Sequence, residues 1–428
     1  MSNFPGESNI KKTINFKDTE DTEDTRDTRD TRETEDKEQS RMDLVLRPGL
    51  INPGNECFIN SMMQCLAVSP FIYEFIQKYM QDDREMIDII KKYDLNLLDI
   101  DCIKDRIVEL LETNLSIPAN ERFILSKIAN KCGDFYIYIC FKEIMIALQT
   151  RRQPVENCRA FIKITSEIAK EGGFDYLFSG EQNDPHEFLV YLLDKIHNAK
   201  SSKVKIDIPA NADKLYLKLY LEHFKKRYEN DFSMFVKNFY YYMLTCIECH
   251  NCNDITYNVN PNDIMCVNLP DDWQHKPSLS LDECIADYFK VEAIDYQCEK
   301  CGNKLHNRQD KKLLTKPRTL IIKIKRYTQM GNTLVKVNKI IEYPSVLKLN
   351  PYLCSGEAGN YELYGVINHI GLLNSGHYYS FIRDFYIESG KNKFSQNWMV
   401  CNDTQVSHLD THEAINSKNA YILFYHII

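Results

Sequence analysis

Residues 50–66 read LINPGNECFINSMMQCL, from Leu50 to Leu66. Phe58, Met62, Cys65 and Leu66 follow helical spacing, so a helix opens at Cys57 directly after a Gly54-Asn55 turn. A sulfur in that place faces the positive end of the helix dipole, which favours the nucleophilic thiolate. A cysteine that starts a helix is still more often buried core than nucleophile. Glu56, immediately before it, adds a second question. A carboxylate about 6 Å from the sulfur disfavours the thiolate by about 0.7 to 3 kcal/mol as the effective dielectric falls from about 80 to about 20.

The rest of the 428-residue chain, 43% apolar, is long enough for a large globular core. Its net charge of −8 and pI near 5.8 argue against nucleic acid or a membrane surface as partner, because both need a basic field. An acidic chain more naturally meets a basic protein. The N-terminal MSNFPGESNIKK lacks the apolar core of a secretory signal, and the most apolar run, FYIYICFKEIMIALQ, is interrupted by Lys142 and Glu143. No membrane span is expected. Fifteen scattered cysteines, an odd number, read as reduced thiols or metal ligands in a cytoplasmic or nuclear, reducing compartment.

Residues 18–41, DTEDTEDTRDTRDTRETEDKEQSR, repeat Asp, Thr and a charged residue with nothing apolar to bury. Residues 1–42 are therefore expected to be a disordered acidic tail. From 43 to 202 apolar residues recur three and four apart, as in DCIKDRIVELLETN and PHEFLVYLLDKIH, which predicts a helical half. From 203 to 428 the texture is short and β-branched, as in TLIIKIKRYTQ, LYGVINHIGLL and AYILFYHII, which predicts a largely antiparallel β-rich half. The fold class is α+β, with a cleft between the halves.

Two Cys-x-x-Cys pairs, CIEC (Cys246, Cys249) and CEKC (Cys298, Cys301), supply four soft thiolates suited to a closed, structural, tetrahedral Zn2+ site. The bland alternative is unliganded surface thiols. Cys252 reads as a spare, and no basic helix follows either pair, against a nucleic-acid finger.

A thiol nucleophile needs a base, a group that orients the base and donors for an oxyanion. The base is expected at His377 in NHIGLLNSGHYYSFIRD, with the mid-strand His369 as competitor. Asn402 and Asp403 in WMVCNDTQV could place an amide or carboxylate on the imidazole Nδ1. Asn52 offers a side-chain amide to the oxyanion.

These segments carry a family resemblance. GLINPGNECFINSMMQCL resembles the cysteine box of ubiquitin-specific proteases. YGVINHIGLLNSGHYYSFIRD, WMVCNDTQV and AYILFYHI resemble their histidine box, and GEQNDPHEFLVYLL resembles the intervening Gln-x-Asp box. KPRTLIIKIKRYTQ is similar to the family's Leu-Lys-Arg-Phe strand, and the resemblance runs from Pro48 to Tyr425. It implies a papain-like cysteine protease fold with helical thumb, β-rich palm and zinc-tipped fingers, acting as a monomer on ubiquitin and ubiquitinated proteins. By the same resemblance Cys57 is nucleophile, His377 base, Asn402 the orienting residue and Asn52 the oxyanion donor. Asp403 helps polarise the site, and Asp184 contacts the ubiquitin tail.

Asp184-Pro185-His186-Glu187 is equally a helix capping box, which explains its spacing without a substrate. The chain departs from the family at Glu56, where most members carry Thr, at Asn183, where they carry Gln, and at Pro185, where they carry Ala or Ser. Residues 82–131 match none of its motifs. The leading expectation is an active deubiquitinase slowed by Glu56, with Glu56→Thr raising activity most below neutrality. The alternatives are a ubiquitin-binding pseudo-protease and a hydrolase of a ubiquitin-like modifier.

Overall fold

Every residue of helix α1, Cys57–Ala67, is buried, and its flanks decide how the molecule is layered. Such a helix needs partners all round. Its polar members are satisfied by main-chain carbonyls: Gln64 Nε2 donates to Pro48 O at 2.9 Å and Ser61 Oγ to Phe58 O at 3.1 Å. The computed structural model describes residues 46–95, 100–153, 155–208, 215–330, 333–356, 358–372 and 375–428. The acidic repeat lies outside the described residues.

On one side of α1 lie α2 (Pro70–Lys92), α3 (Ile100–Thr113), α4 (Ala119–Asn130), α5 (Cys132–Gln149), α6 (Val155–Gly172) and α7 (Pro185–Lys200). The apolar α5 is central to this half, packed on α6, α7 and α1. Lys142, one of the two charges that interrupt the apolar run, has a reason to be there. Lys142 Nζ reaches Asp83 Oδ2 at 3.0 Å, Tyr138 OH donates to the same oxygen at 2.6 Å, and Lys200 pairs with Oδ1. Asp83 is 0% exposed, so each of its oxygens needs such a partner. The stretch 82–131 thus forms the end of α2 with α3 and α4, and α3 and α4 pack on each other and on α5.

Two further helices, α8 (Leu215–Tyr228) and α9 (Met234–Asn238), precede the first strand. The β region therefore starts later than residue 203. Its strands are β1 (Tyr241–Glu248), β2 (Ile255–Asn262), β3 (Ile264–Val267), β4 (Leu279–Ser280), β5 (Glu292–Ile294), β6 (Asn307–Leu313), β7 (Thr319–Ile324), β8 (Tyr327–Met330) and β9 (Thr333–Lys336). They continue with β10 (Ile341–Glu342), β11 (Val346–Lys348), β12 (Asn360–Gly371), β13 (Gly376–Ile382), β14 (Phe385–Glu388), β15 (Lys391–Phe394), β16 (Trp398–Asn402), β17 (Gln405–Leu409) and β18 (Ala420–Ile427).

An eight-stranded sheet in the order β17-β16-β13-β12-β18-β7-β3, with β11 on β12, lies against α1. Its pairings are antiparallel except β3 with β7. A second sheet, β2-β1-β6-β5, stands apart and takes α8 on β2. Nearly continuous apolar runs such as TLIIKI and AYILFYHI are buried on both faces, as central strands require.

Candidate active site

Cys57 is the first residue of α1 and is 1% exposed. The first turn of α1 packs on β13, and the main-chain N–H groups of Tyr378, Phe58 and Cys57 itself draw the thiol pKa down. Burial nevertheless pushes the thiol pKa above its ordinary value, and the Asp403 carboxylate adds to that against the pull of the N–H groups. The expected depression is overturned because a sulfur shut away from water gains less from those dipoles than the thiolate loses in hydration.

Glu56 is not the carboxylate at work. It occupies the N-cap position of α1 without a side-chain cap, and its carboxylate folds back over the turn, with Oε2 3.3 Å from where a Cβ on Gly54 would sit. Oε2 is buried and has no hydrogen-bond partner. The charge that raises Cys57 comes from Asp403, far away in sequence.

His377, the second residue of β13, pairs through Nε2 with Asn402 Oδ1 at 2.6 Å. The expected partner nitrogen was Nδ1, and the geometry reverses it. With the Asn402 carbonyl as acceptor, the Nε2-protonated tautomer satisfies this contact and leaves a lone pair on Nδ1. Asp403 Oδ2 lies 3.9 Å from the same Nε2. Asp403 is also a hub: Oδ1 accepts from Asn60 Nδ2 at 2.8 Å, Oδ2 accepts from Asn52 Nδ2 at 3.0 Å, and its carbonyl accepts from Leu50 N at 2.8 Å. The residue lies in the two-residue turn between β16 and β17 and adopts φ +50° there. The Asn52 amide expected on an oxyanion therefore points at Asp403, while its Oδ1 accepts from Gly54 N and Glu56 N.

His369 is no competitor for the base. It stacks on Tyr378 with ring centroids 4.4 Å apart, and Tyr327 OH sits 3.1 Å from its Nδ1. Burial and the Lys336 ammonium hold its pKa down to about 4, so it stays neutral.

Asp184 caps α7, its Oδ1 accepting from His186 N at 2.9 Å, with Pro185 as the first helical residue. Glu187 reaches the Tyr176 hydroxyl instead of closing a capping box. Asp184 Oδ2 is also taken, by Lys323 Nζ from β7 and by Tyr421 OH at 2.7 Å from β18.

The metal-ligand set differs from the expected one at one residue. Cys249, Cys252, Cys298 and Cys301 bring their sulfurs within 4.8 Å of one another. Cys246 does not join them. It is held in the β1 ladder opposite Tyr257 and Asp310, and burial raises its pKa to about 11. β1 runs on to Glu248, so Cys246 stays in the ladder while Cys249 opens the turn, and CIEC does not close on one ion. CHNC can, because it is a turn. Cys249 N donates to Asp254 O at 2.9 Å and Asn253 N to Cys249 O at 3.0 Å, and the second knuckle repeats this with Cys298 N to Asn303 O at 2.8 Å and Gly302 N to Cys298 O at 2.9 Å. Asn253 at φ +55° and Gly302 at φ +73° make the matching left-handed bends. Sulfur separations of 3.5 Å for Cys249–Cys301 and 3.7 Å for Cys252–Cys298 fit a tetrahedral ion, whose edge at a Zn–S bond of about 2.3 Å is about 3.8 Å.

Two residues had no assigned role in the sequence reading. Arg326, 0% exposed, donates Nε to Ala420 O and Nη1 to Lys339 O at 2.8 Å, pinning the exit of β7 to β18. Gln182 reaches the main chain of Gly376, one residue before His377. An arginine closing the apolar run TLIIKIKR was a signal for the first.

Among the described residues no helix is long and apolar enough to cross a membrane. The family profile described as ubiquitin carboxyl-terminal hydrolase matches residues 48–425. Ubiquitin carboxyl-terminal hydrolase 25 of Arabidopsis thaliana is 26% identical over 387 residues, covering 88% of this chain and 47% of that protein. A probable ubiquitin carboxyl-terminal hydrolase of Acanthamoeba polyphaga mimivirus is 24% identical, covering 88% of this chain and 89% of that protein. The chain spans about half the length of the plant and yeast relatives it matches. The solved SAGA DUB module of Ubp8, Sgf11, Sus1 and Sgf73 bound to monoubiquitin shares the fold at a TM-score of 0.59 and 19% identity, covering 93% of this chain and 75% of that one. With the family profile running from the segment before the helix-start cysteine to the last strand, the chain belongs to the ubiquitin carboxyl-terminal hydrolase family, as a ubiquitin-specific protease.

Proposed function

We propose that the chain is a deubiquitinating thiol hydrolase that cuts isopeptide or peptide bonds after the C-terminal glycine of ubiquitin. The observation that carries this is the pairing of His377 Nε2 with Asn402 Oδ1 at 2.6 Å, next to Tyr378 and Asp403, the chain neighbours of those two residues, which both act on the Cys57 thiol. Cys57 Sγ attacks the carbonyl carbon as its proton passes to His377 Nδ1. The imidazolium returns that proton to the leaving lysine amine, leaving a thioester between Cys57 and the ubiquitin tail. Water, deprotonated by the same imidazole, cleaves the thioester and regenerates the thiol. A resting thiol of raised pKa suits attack coupled to proton transfer, with the N–H groups around the sulfur as donors beside the developing oxyanion.

Asp184 is the acceptor for a basic residue of the ubiquitin tail, which must share or displace Lys323. The four cysteines at the tip of the second sheet hold Zn2+ as a structural ion joining two knuckles. Residues 43–428 act as one catalytic unit.

Labelling of Cys57 by a ubiquitin C-terminal electrophile, with turnover of a fluorogenic ubiquitin conjugate, is the test. Binding of ubiquitin without labelling or turnover would sink the reading in favour of a pseudo-protease. A panel of ubiquitin-like electrophiles, if labelled in preference to ubiquitin, would reassign the substrate.

A further inference from the structure

The loop 179–184 reaches both the turn before Cys57 and the start of β13, and the side-chain amides of Gln182 and Asn183 are spent on main chain. Asn183 Nδ2 donates to Tyr176 O at 2.9 Å and Glu181 O at 3.1 Å, which stiffens the loop. The Gly180 carbonyl accepts from Asn55 Nδ2 at 2.7 Å, two residues before Cys57. Gln182 spans to the opposite half: Gly376 N donates to Gln182 Oε1 at 2.6 Å, and Gln182 Nε2 donates back to Gly376 O. A primary amide bonded both ways to one residue acts like an added strand, and it fixes that residue in two directions at once.

Gly376 itself has no freedom to be anything larger. A Cβ there would lie 2.2 Å from His369 Nε2 and 2.5 Å from Ile370 O. The residue is held from below by the buried His369 and from the cleft side by Gln182. The next residue is His377, whose ring reaches Asn402. We infer that Gln182 is a positioning residue that sets the imidazole of His377 against Cys57, by clamping Gly376 to a loop that also grips the Cys57 turn. This rests on His377 being the base. Among the described residues the hydrogen bonds of the Gln182 amide go to the main chain of Gly376, and it acts on the ring through that main chain.

The test compares the full chain with Gln182→Ala and Gln182→Glu, reading kcat and KM on a fluorogenic ubiquitin conjugate together with NMR of the Gly376 amide and the His377 ring. Gln182→Ala removes both bonds, and its kcat is expected to fall about 10–100-fold with KM held within about twofold, the scale of a misplaced catalytic group. Its Gly376 amide loses exchange protection and its His377 ring resonances move. Gln182→Glu keeps an acceptor for Gly376 N without a donor for Gly376 O. Its kcat falls between the other two, and it carries the test if the alanine variant does not fold. Unchanged kcat with a protected Gly376 amide, or a raised KM with kcat held, overturns the inference. If the unaltered chain neither labels nor turns over, the deubiquitinase reading fails instead, and the clamp stands or falls on Gly376 protection and the His377 resonances alone.

Discussion

At the residue scale the chemistry at Cys57 is set by a neighbour in space. Burial and Asp403 raise the thiol pKa, while Glu56 turns its carboxylate away over Gly54. The thiolate therefore forms only on the alkaline side. Alkylation of Cys57 by iodoacetamide should rise with pH beyond neutrality, and Asp403→Asn should move that profile to lower pH because one opposing charge is gone. The same variant weakens the hold on Asn52 and Asn60, so kcat on a ubiquitin conjugate is expected to drop about tenfold. Glu56→Thr should leave the alkylation profile where it is, in contrast to the expectation from adjacency in sequence. It also removes a buried oxygen with no partner, so thermal unfolding should find the variant as stable as the parent or more so, by up to about 1 kcal/mol.

At the element scale, the two cysteine knuckles join the β1–β2 turn to the segment before β6. Cys252→Ser should lose stoichiometric zinc in elemental analysis, whereas Cys246→Ser should retain it. The reverse result would restore the CIEC pair. The junction of α7 with β7 and β18 makes a different prediction. Asp184 serves at once as helix cap and as partner of Lys323 and Tyr421. Lys323→Met leaves the cap and the Tyr421 hydrogen bond intact and removes the cation that competes with a substrate cation for Oδ2. KM for a ubiquitin conjugate should then fall about two- to fivefold with kcat unchanged, the size of a modest charge-pair competition. A KM that stays level would mean that Asp184 does not meet the tail.

At the scale of the whole molecule, Asp384 ties three parts of the chain together. It follows β13, pairs with Arg47 ahead of α1, and takes Arg151 Nη2 at 2.7 Å from the segment after α5, while Arg47 Nη1 also donates to Leu148 O at 3.0 Å. Burial alone would raise its pKa, but the two guanidiniums outweigh burial and hold it below the ordinary 3.8. A carboxyl whose folded pKa is depressed contributes stability that is complete above its unfolded value and is lost as pH falls through the folded one. Stability should accordingly decline below about pH 4. Asp384→Asn should lower the unfolding free energy near neutrality by about 3–5 kcal/mol and flatten part of that acid slope, both readable in urea titrations at a series of pH values.

The helix at Cys57, the alternation from helical to β-rich halves, the cap at Asp184 and the second cysteine knuckle were all legible in the chain. Each depends on spacing and residue type within one short segment, where 3.6- and 2-residue periods and turn chemistry are local properties. What the chain could not show was which groups meet across it. Cys252 replaces Cys246 because β1 runs on to Glu248 and carries Cys246 out of the turn. The nitrogen of His377 that meets Asn402, the occupation of Asp184 by Lys323, and the clamp of Gln182 on Gly376 all arise where separate elements pack. The sequence by itself determined the elements and which side chains are proposed to react. Only the tertiary structure decided the protonation and partners of those side chains, because burial and charge act through distance in space and not along the chain.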